Sequence, residues 1–172
     1  MSSVQLPPFQ AFVEEHRGPV LGFLRTMVGR ADAEDCFQET FMAALRAYPN
    51  ADGENMRAWV MTIARNKAID HHRGRARRPQ PADPAAGANE GAIVAPFDAA
   101  LDGLGGGGEV WRRVAELSPG QRAAVALRFA ADLPYREIGA ALDCSEAAAR
   151  RRVHDGLETL RRRLATTTKE DR

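Results

Sequence analysis

The stretch Arg57-Ala-Trp-Val-Met-Thr-Ile-Ala-Arg-Asn-Lys-Ala-Ile-Asp-His-His-Arg-Gly-Arg-Ala-Arg-Arg78 joins a narrow apolar stripe to a dense basic surface. It reads as one helix. Trp59, Ile63 and Ala64 recur at a spacing that puts side chains on one helical face, with Val60 and Ile69 flanking them. Around the stripe stand Arg57, Arg65, Lys67, Arg73, Arg75, Arg77 and Arg78, against one acid, Asp70. A charged run is ordinarily just a solvated face. Here the charge is nearly one-signed, and an indole and an amide, Trp59 and Asn66, lie among the cations, where stacking and base-edge hydrogen bonding can use them. The pattern predicts a helix held by protein on one side and by phosphate on the other.

Towards the N-terminus, Phe9, Phe12, Val13, Val20, Leu24, Met27 and Val28 follow a helical period across Gly18-Pro19, which predicts one long helix with a kink point. Asp32 is placed to cap a second helix, with Glu34 and Asp35 in its first turn against the positive end of the helix dipole. Phe37, Phe41 and Leu45, with Cys36 and Ala44, form its expected buried stripe. Pro49-Asn50-Ala51-Asp52-Gly53-Glu54-Asn55 is a loop.

Towards the C-terminus the character changes. Residues 79–108 are rich in Pro, Ala and Gly, end on Gly105 to Gly108 and contain no Lys or Arg, so they read as an acidic, flexible linker. Its Ile93, Val94, Phe97, Leu101 and Leu104 are apolar enough either to dock or to form a short turn of no special role. No Lys-Ser or Lys-Thr follows the glycine run, so it is not a phosphate loop. Beyond it, Val110, Val114, Leu117 and then Val125, Leu127 and Phe129 predict two short helices around Ser118-Pro119-Gly120. Pro134 opens a third, with Ile138, Ala141 and Leu142 inward. Ser145 caps a fourth, with Ala149, Val153, Leu157 and Leu160 inward and Arg150-Arg151-Arg152 outward. The last two, joined by a short turn, make a helix-turn-helix pattern.

The expected class is therefore all-α: an N-terminal helical bundle over residues 1–78, the linker over 79–108, and a four-helix domain with a helix-turn-helix over 109–172. The 172 residues carry a net charge of only +1, so any nucleic-acid surface depends on how charge is distributed. Cys36 and Cys144 read as small buried hydrophobes in a reducing compartment. No metal set assembles from the cysteines and histidines, no cofactor motif is present, and no leader or membrane-span pattern occurs, which leads to an expectation of a cytoplasmic protein.

At the level of motifs the chain resembles bacterial RNA polymerase sigma factors of the extracytoplasmic-function group. Asp32-Ala-Glu-Asp-Cys-Phe-Gln-Glu-Thr-Phe41 resembles the family's polymerase-clamp-binding helix, and Arg57 to Asp70 its promoter-melting helix. Leu117-Ser-Pro-Gly-Gln-Arg122, Leu127-Arg128, Tyr135-Arg-Glu-Ile138 and Ser145-Glu146 resemble its upstream-element-reading domain. The resemblance implies a non-enzymatic subunit with no catalytic residues. Its implied partners are core RNA polymerase, through the beta-prime clamp and beta flap, promoter DNA, and an anti-sigma factor.

For polymerase binding it points to Asp32, Asp35, Gln38, Glu39 and Phe41; Asp35, Gln38 and Glu39 also fall on one helix edge, suited to a basic partner surface. For minus-ten DNA it points to Asn55, Arg57, Trp59, Arg65, Asn66, Lys67, Arg73, Arg75, Arg77 and Arg78, with Trp59 equally suited to the core. For the minus-thirty-five element the residues are Arg136, Ser145, Glu146, Arg150, Arg151, Arg152 and His154. The chain departs from the family at Asp155 and Leu157, where basic residues are usual, at Ala148-Ala149, and at Pro134, where a capping Ser is usual. Asp155 is expected to repel phosphate. A stand-alone helix-turn-helix regulator would account for Tyr135 to Leu164 but leaves Asp32 to Phe41 unexplained. A nucleic-acid-processing enzyme finds no nucleophile, paired carboxylates, Walker loop or metal set.

Overall fold

The computed structural model describes residues 6–77 and 108–170. The expectations for the linker and for Arg78 lie outside the described residues. In the first unit, α1 (Phe9–Val28), α2 (Arg30–Ala47) and α3 (Met56–Arg77) pack pairwise against one another, with a 3-10 turn at Tyr48–Asn50. In the second, α4 (Gly108–Ala115), α5 (Pro119–Phe129) and α6 (Tyr135–Ala141) gather around α7 (Glu146–Glu170).

Helix α1 contains Pro19 and turns into α2 through Gly29 alone, whose φ of 83° lies in the left-handed region that glycine tolerates. Because α2 begins at Arg30, Asp32 sits inside its first turn and does not cap it. Its carboxylate instead accepts a 2.6 Å hydrogen bond from Arg75 and lies 3.2 Å from His71. Cys36, Phe37, Phe41 and Ala44 are buried as expected, but Leu45 is exposed, since the stripe turns away from the core before α2 ends. In α3 the buried face is Ala58, Val60, Met61, Ala64, Ala68 and His72, while Ile63 and Ile69 are only half-buried. The expected stripe was thus rotated. Small Ala64 and Ala68 allow the close approach of α1 and α2, which bulk-weighted periodicity does not register.

The helix-turn-helix depends on Gly139. A Cβ there would lie 2.7 Å from the Cys144 carbonyl oxygen and 3.2 Å from the Glu146 amide nitrogen, so only glycine lets α6 reach the start of α7. Ser145 caps α7, its Oγ accepting from the Ala148 amide at 3.1 Å. Ser118 precedes α5 without a side-chain cap bond, and Pro119 holds the first helical position. Val110 and Phe129, expected inside, are exposed. Both cysteines are free, Cys36 buried and Cys144 half-buried.

The two units are not separate bodies. α5 lies against α1 and α6 against α3. One continuous apolar cluster runs from Phe12, Leu24 and Met61 to Ala126, Leu127, Leu133 and Ile138, while Val114, Leu117, Val125 and Leu160 form a smaller cluster within the second unit. From Val20 to Val28 every residue of α1 except Arg25 is buried, which a helix reaches only when it is covered on all sides.

Candidate functional surfaces

On α2 the exposed residues Asp35, Gln38, Glu39, Met42 and Arg46 fall within about 60° of one direction at ~100° per residue, and with Lys67 of α3 they line a shallow groove. Lys67 stands 3.8 Å from Glu39 and sets one wall. Of the polymerase-contact candidates, Asp35, Gln38 and Glu39 share this edge. Asp32 is tied to Arg75 and His71, and Phe41 is 7% exposed, its ring 4.7 Å from that of Phe37 and 6.1 Å from that of Phe12. Phe41 is a core residue. Met42, 53% exposed, was missed by sequence reasoning; its position one turn beyond Gln38 and Glu39 on the same edge was the available signal. Burial beside Glu39, Asp32 and Asp35 pushes the Cys36 thiol up to about 11, so it is a packed hydrophobe with no thiolate chemistry at neutral pH.

The loop ahead of α3 is shaped by Asp52, whose carboxylate accepts from the Glu54 amide at 3.0 Å, and by two left-handed residues, Gly53 and Asn55. Asn55 serves as the first carbonyl of α3, accepting from the Trp59 amide at 3.0 Å. Pro7, Phe12, Glu15, His16, Gly53, Asn55, Met56 and Arg57 surround a cavity of about 380 Å³ here, and Glu137 of α6 completes its wall. Trp59 is half-buried, with ring centroids 5.9 Å from Phe12 and 6.3 Å from Tyr48, so the aromatic core anchors it.

The basic candidates of α3 divide. Asn66 and Arg73 are exposed and lie within about 20° of one direction, with Arg65 and Lys67 on the two flanks. Arg75 turns to Asp32, and Arg57 reaches the second unit, donating to the Ala131 carbonyl at 3.4 Å. The Arg77 side chain lies outside the described residues. Two histidines unremarked in the sequence are buried. His72 donates from Nε2 to the Met27 carbonyl at 2.9 Å, and desolvation, then the nearby Arg122, His71 and Arg75, hold its pKa below 6.5 against the raising effect of that bond. His16 is likewise lowered by desolvation and by Arg57, with Glu15 opposing.

On α7, Glu146, Ala147, Arg150, Arg151 and His154 share one shallow, open face. Arg150 pairs with Glu146 at 2.9 Å and covers the Tyr135 ring at 5.1 Å, which orients it. Arg136 and Ser145 are exposed beside them. Arg152 is the exception: it lies about 170° round the helix from this face, with its Nε 4.0 Å from where a Cβ on Gly120 would stand. Asp155 is exposed on the flank.

An exposed acidic edge, a basic helix entered through a left-handed loop, and a helix-turn-helix with two outward arginines are the features of a two-unit nucleic-acid-binding protein. Residues 12–78 match the Sigma-70 region 2 family and residues 107–160 the Sigma-70 region 4 family. RNA polymerase sigma factor CarQ of Myxococcus xanthus is 34% identical over 164 residues, covering 91% of this chain and 88% of that protein. ECF RNA polymerase sigma factor SigE of Mycolicibacterium smegmatis is 32% identical over 173 residues, covering 96% of this chain and 65% of that one.

Among solved structures, sigma factor RpoE in complex with the anti-sigma factor NepR from Bartonella quintana superposes with a TM-score of 0.70 at 22% identity, over 91% of this chain and 96% of that one. CnrH in complex with the cytosolic domain of CnrY gives 0.69 at 22%, over 92% and 88%. The chain belongs to the extracytoplasmic-function group of sigma-70-family RNA polymerase sigma factors. It is a non-enzymatic specificity subunit that directs transcription initiation together with RNA polymerase and promoter DNA. No helix among the described residues is long and apolar enough to cross a membrane.

Proposed function

We propose a division of labour among the three surfaces. The α2 edge of Asp35, Gln38, Glu39 and Met42 docks on the beta-prime clamp. The cavity at Gly53, Asn55 and Arg57 receives an unstacked minus-ten base, with Asn66 and Arg73 on the adjoining strand. The face of Arg150, Arg151 and His154 reads the minus-thirty-five element, and the second unit also meets the beta flap. The observation that carries this reading is the α2 edge: two carboxylates, an amide and an exposed thioether in one line are the chemistry of a charged contact with an apolar centre. A DNA-binding regulator that works without polymerase leaves that edge unexplained.

Unstacking a base costs a few kcal/mol, and a preformed cavity beside Asn55 offsets part of that cost. Because the chain resembles RpoE and CnrH in fold, and those proteins are held by NepR and by the cytosolic domain of CnrY, an anti-sigma partner and a cytoplasmic site of action are part of the same proposal. The test is the affinity of the full chain for core polymerase. Asp35→Lys combined with Glu39→Lys lowers it about tenfold, or ~1.4 kcal/mol, with the melting temperature preserved. Unchanged affinity would remove the α2 edge from the interface.

A further inference from the structure

We infer that Tyr135, which lies outside the recognition helix α7, sets the base preference of the upstream contact by holding Arg150 over its ring in the pose that reads guanine. The inference rests on the assignment of the Arg150, Arg151 and His154 face to the minus-thirty-five element, and it adds which base is read and what positions the reader. Tyr135 opens α6 directly after Pro134, is half-buried, and packs against the apolar core, so its ring is a fixed platform. Two guanidiniums lie over that ring, Arg150 at 5.1 Å and Arg128 at 5.5 Å. Arg128 is committed inward, donating to the Leu133 carbonyl at 3.3 Å and pairing with Asp132 at 3.5 Å. Arg150 faces outward: it donates from Nη2 to Glu146 at 2.9 Å, and its side chain is 63% exposed.

Position on the helix separates the arginines of this face. At ~100° per residue, Arg150 lies about 30° from the mean direction of Glu146, Ala147, Arg150, Arg151 and His154, whereas Arg151 lies about 70° from it. The centre of a helix face in the major groove meets base edges, and its margins meet the backbone. Arg150 also stands in the first two turns of α7, the end that enters the groove in a helix-turn-helix. A guanidinium carries five donors in a planar fork. Glu146 takes one and the Tyr135 ring fixes the plane, which leaves parallel donors for the O6 and N7 acceptors of guanine. The Glu146–Arg150 couple has no net charge, so it suits a base edge better than a phosphate. Stacking and pairing restrict the rotamers of Arg150 before DNA arrives. A side chain so held discriminates among bases, because it cannot follow an acceptor that lies elsewhere.

The test mixes the holoenzyme, full chain plus core polymerase, with a pool of fully randomised duplexes and sequences those it retains. The wild-type holoenzyme will enrich two separated blocks, with a position in the upstream block at which guanine is favoured about tenfold or more. Arg150→Ala will flatten that position and leave the others as they are. Tyr135→Leu will lower the guanine preference at the same position several-fold, and Tyr135→Phe, which keeps the ring face, will retain it. Arg151→Ala will leave every base frequency unchanged, since it removes charge from the edge of the face. Base frequencies are ratios within one retained pool. A variant that is partly unfolded therefore lowers the yield and not the preference.

A guanine preference that survives Arg150→Ala, an upstream block with no guanine position, or Tyr135→Leu and Tyr135→Phe proteins that behave alike would overturn the inference. A wild-type holoenzyme that enriches no upstream block would instead refute the assignment of the α7 face on which it rests.

Discussion

Arg151 and Arg152 are neighbours in sequence with opposite surroundings. Arg151 is exposed on the open face of α7, whereas Arg152 is folded back against the start of α5. Arg151→Ala is expected to reduce the salt slope of upstream DNA binding by about one unit, the signature of one lost phosphate contact, while Arg152→Ala leaves the slope unaltered. A salt titration of the full chain on promoter DNA distinguishes them. A flank position gives Asp155 a weaker hold on the same surface, so Asp155→Arg strengthens binding by no more than about 1 kcal/mol. Gly139 permits a sharper expectation. Gly139→Ala gains ~0.8 kcal/mol of helix propensity, but its Cβ meets a backbone oxygen at 2.7 Å, and the backbone has to move. A net loss of about 1–3 kcal/mol is expected in chemical denaturation, with upstream DNA binding falling in parallel.

At the scale of elements, sequence periodicity located every helix of the described residues and mistook the faces of several. Apolar spacing places Leu45 inside because it cannot say where α2 leaves its bundle, and it sets α3 about one residue out of rotation because the true contact face is built on alanines. The α2 edge survives both errors, since Asp35, Gln38 and Glu39 are exposed together. Asp32 belongs to a different task. Its bond to Arg75 and approach to His71 tie the start of α2 to the end of α3. Asp32→Ala is therefore expected to cost ~0.5–1 kcal/mol of stability, as measured by thermal melting, and to change affinity for core polymerase little.

At the scale of the molecule, the buried histidines link stability to pH. His72 spends its Nε2 proton on the Met27 carbonyl, and its Nδ1 has no hydrogen-bond partner. A second proton would place a cation facing Arg122 of α5 and Arg75 and His71 of α3. His16 faces Glu15 and Arg57. Both folded-state pKa values lie below the ordinary 6.5, so the unfolded chain binds more protons as the solution acidifies. The stabilisation is fully present above about pH 6.5 and is lost as pH falls below it, by at most ~1.4 kcal/mol per pH unit for each proton taken up. Melting temperature should drop on going from pH 7 to 5.5, and His72→Gln, which can still donate to Met27, should drop less. Equal slopes for the two proteins would assign the pH dependence to other groups.

Local chemistry was legible in the chain from the start. Helical periods, the Ser145 cap, the breaker-rich loop before α3 and the one-signed charge of that helix are short-range properties, set by side chains within a few residues of one another. Which faces meet is a long-range property. Phe41 and Trp59 join the aromatic core, Arg57 and Arg152 turn inward, and α5 covers α1 because buried area is maximised over the whole molecule, not within any one helix. One trace of that packing was present in the sequence. Val20-Leu21-Gly22-Phe23-Leu24 is apolar on all sides, a pattern that requires a partner for every face, but only the tertiary structure shows that the second unit provides it.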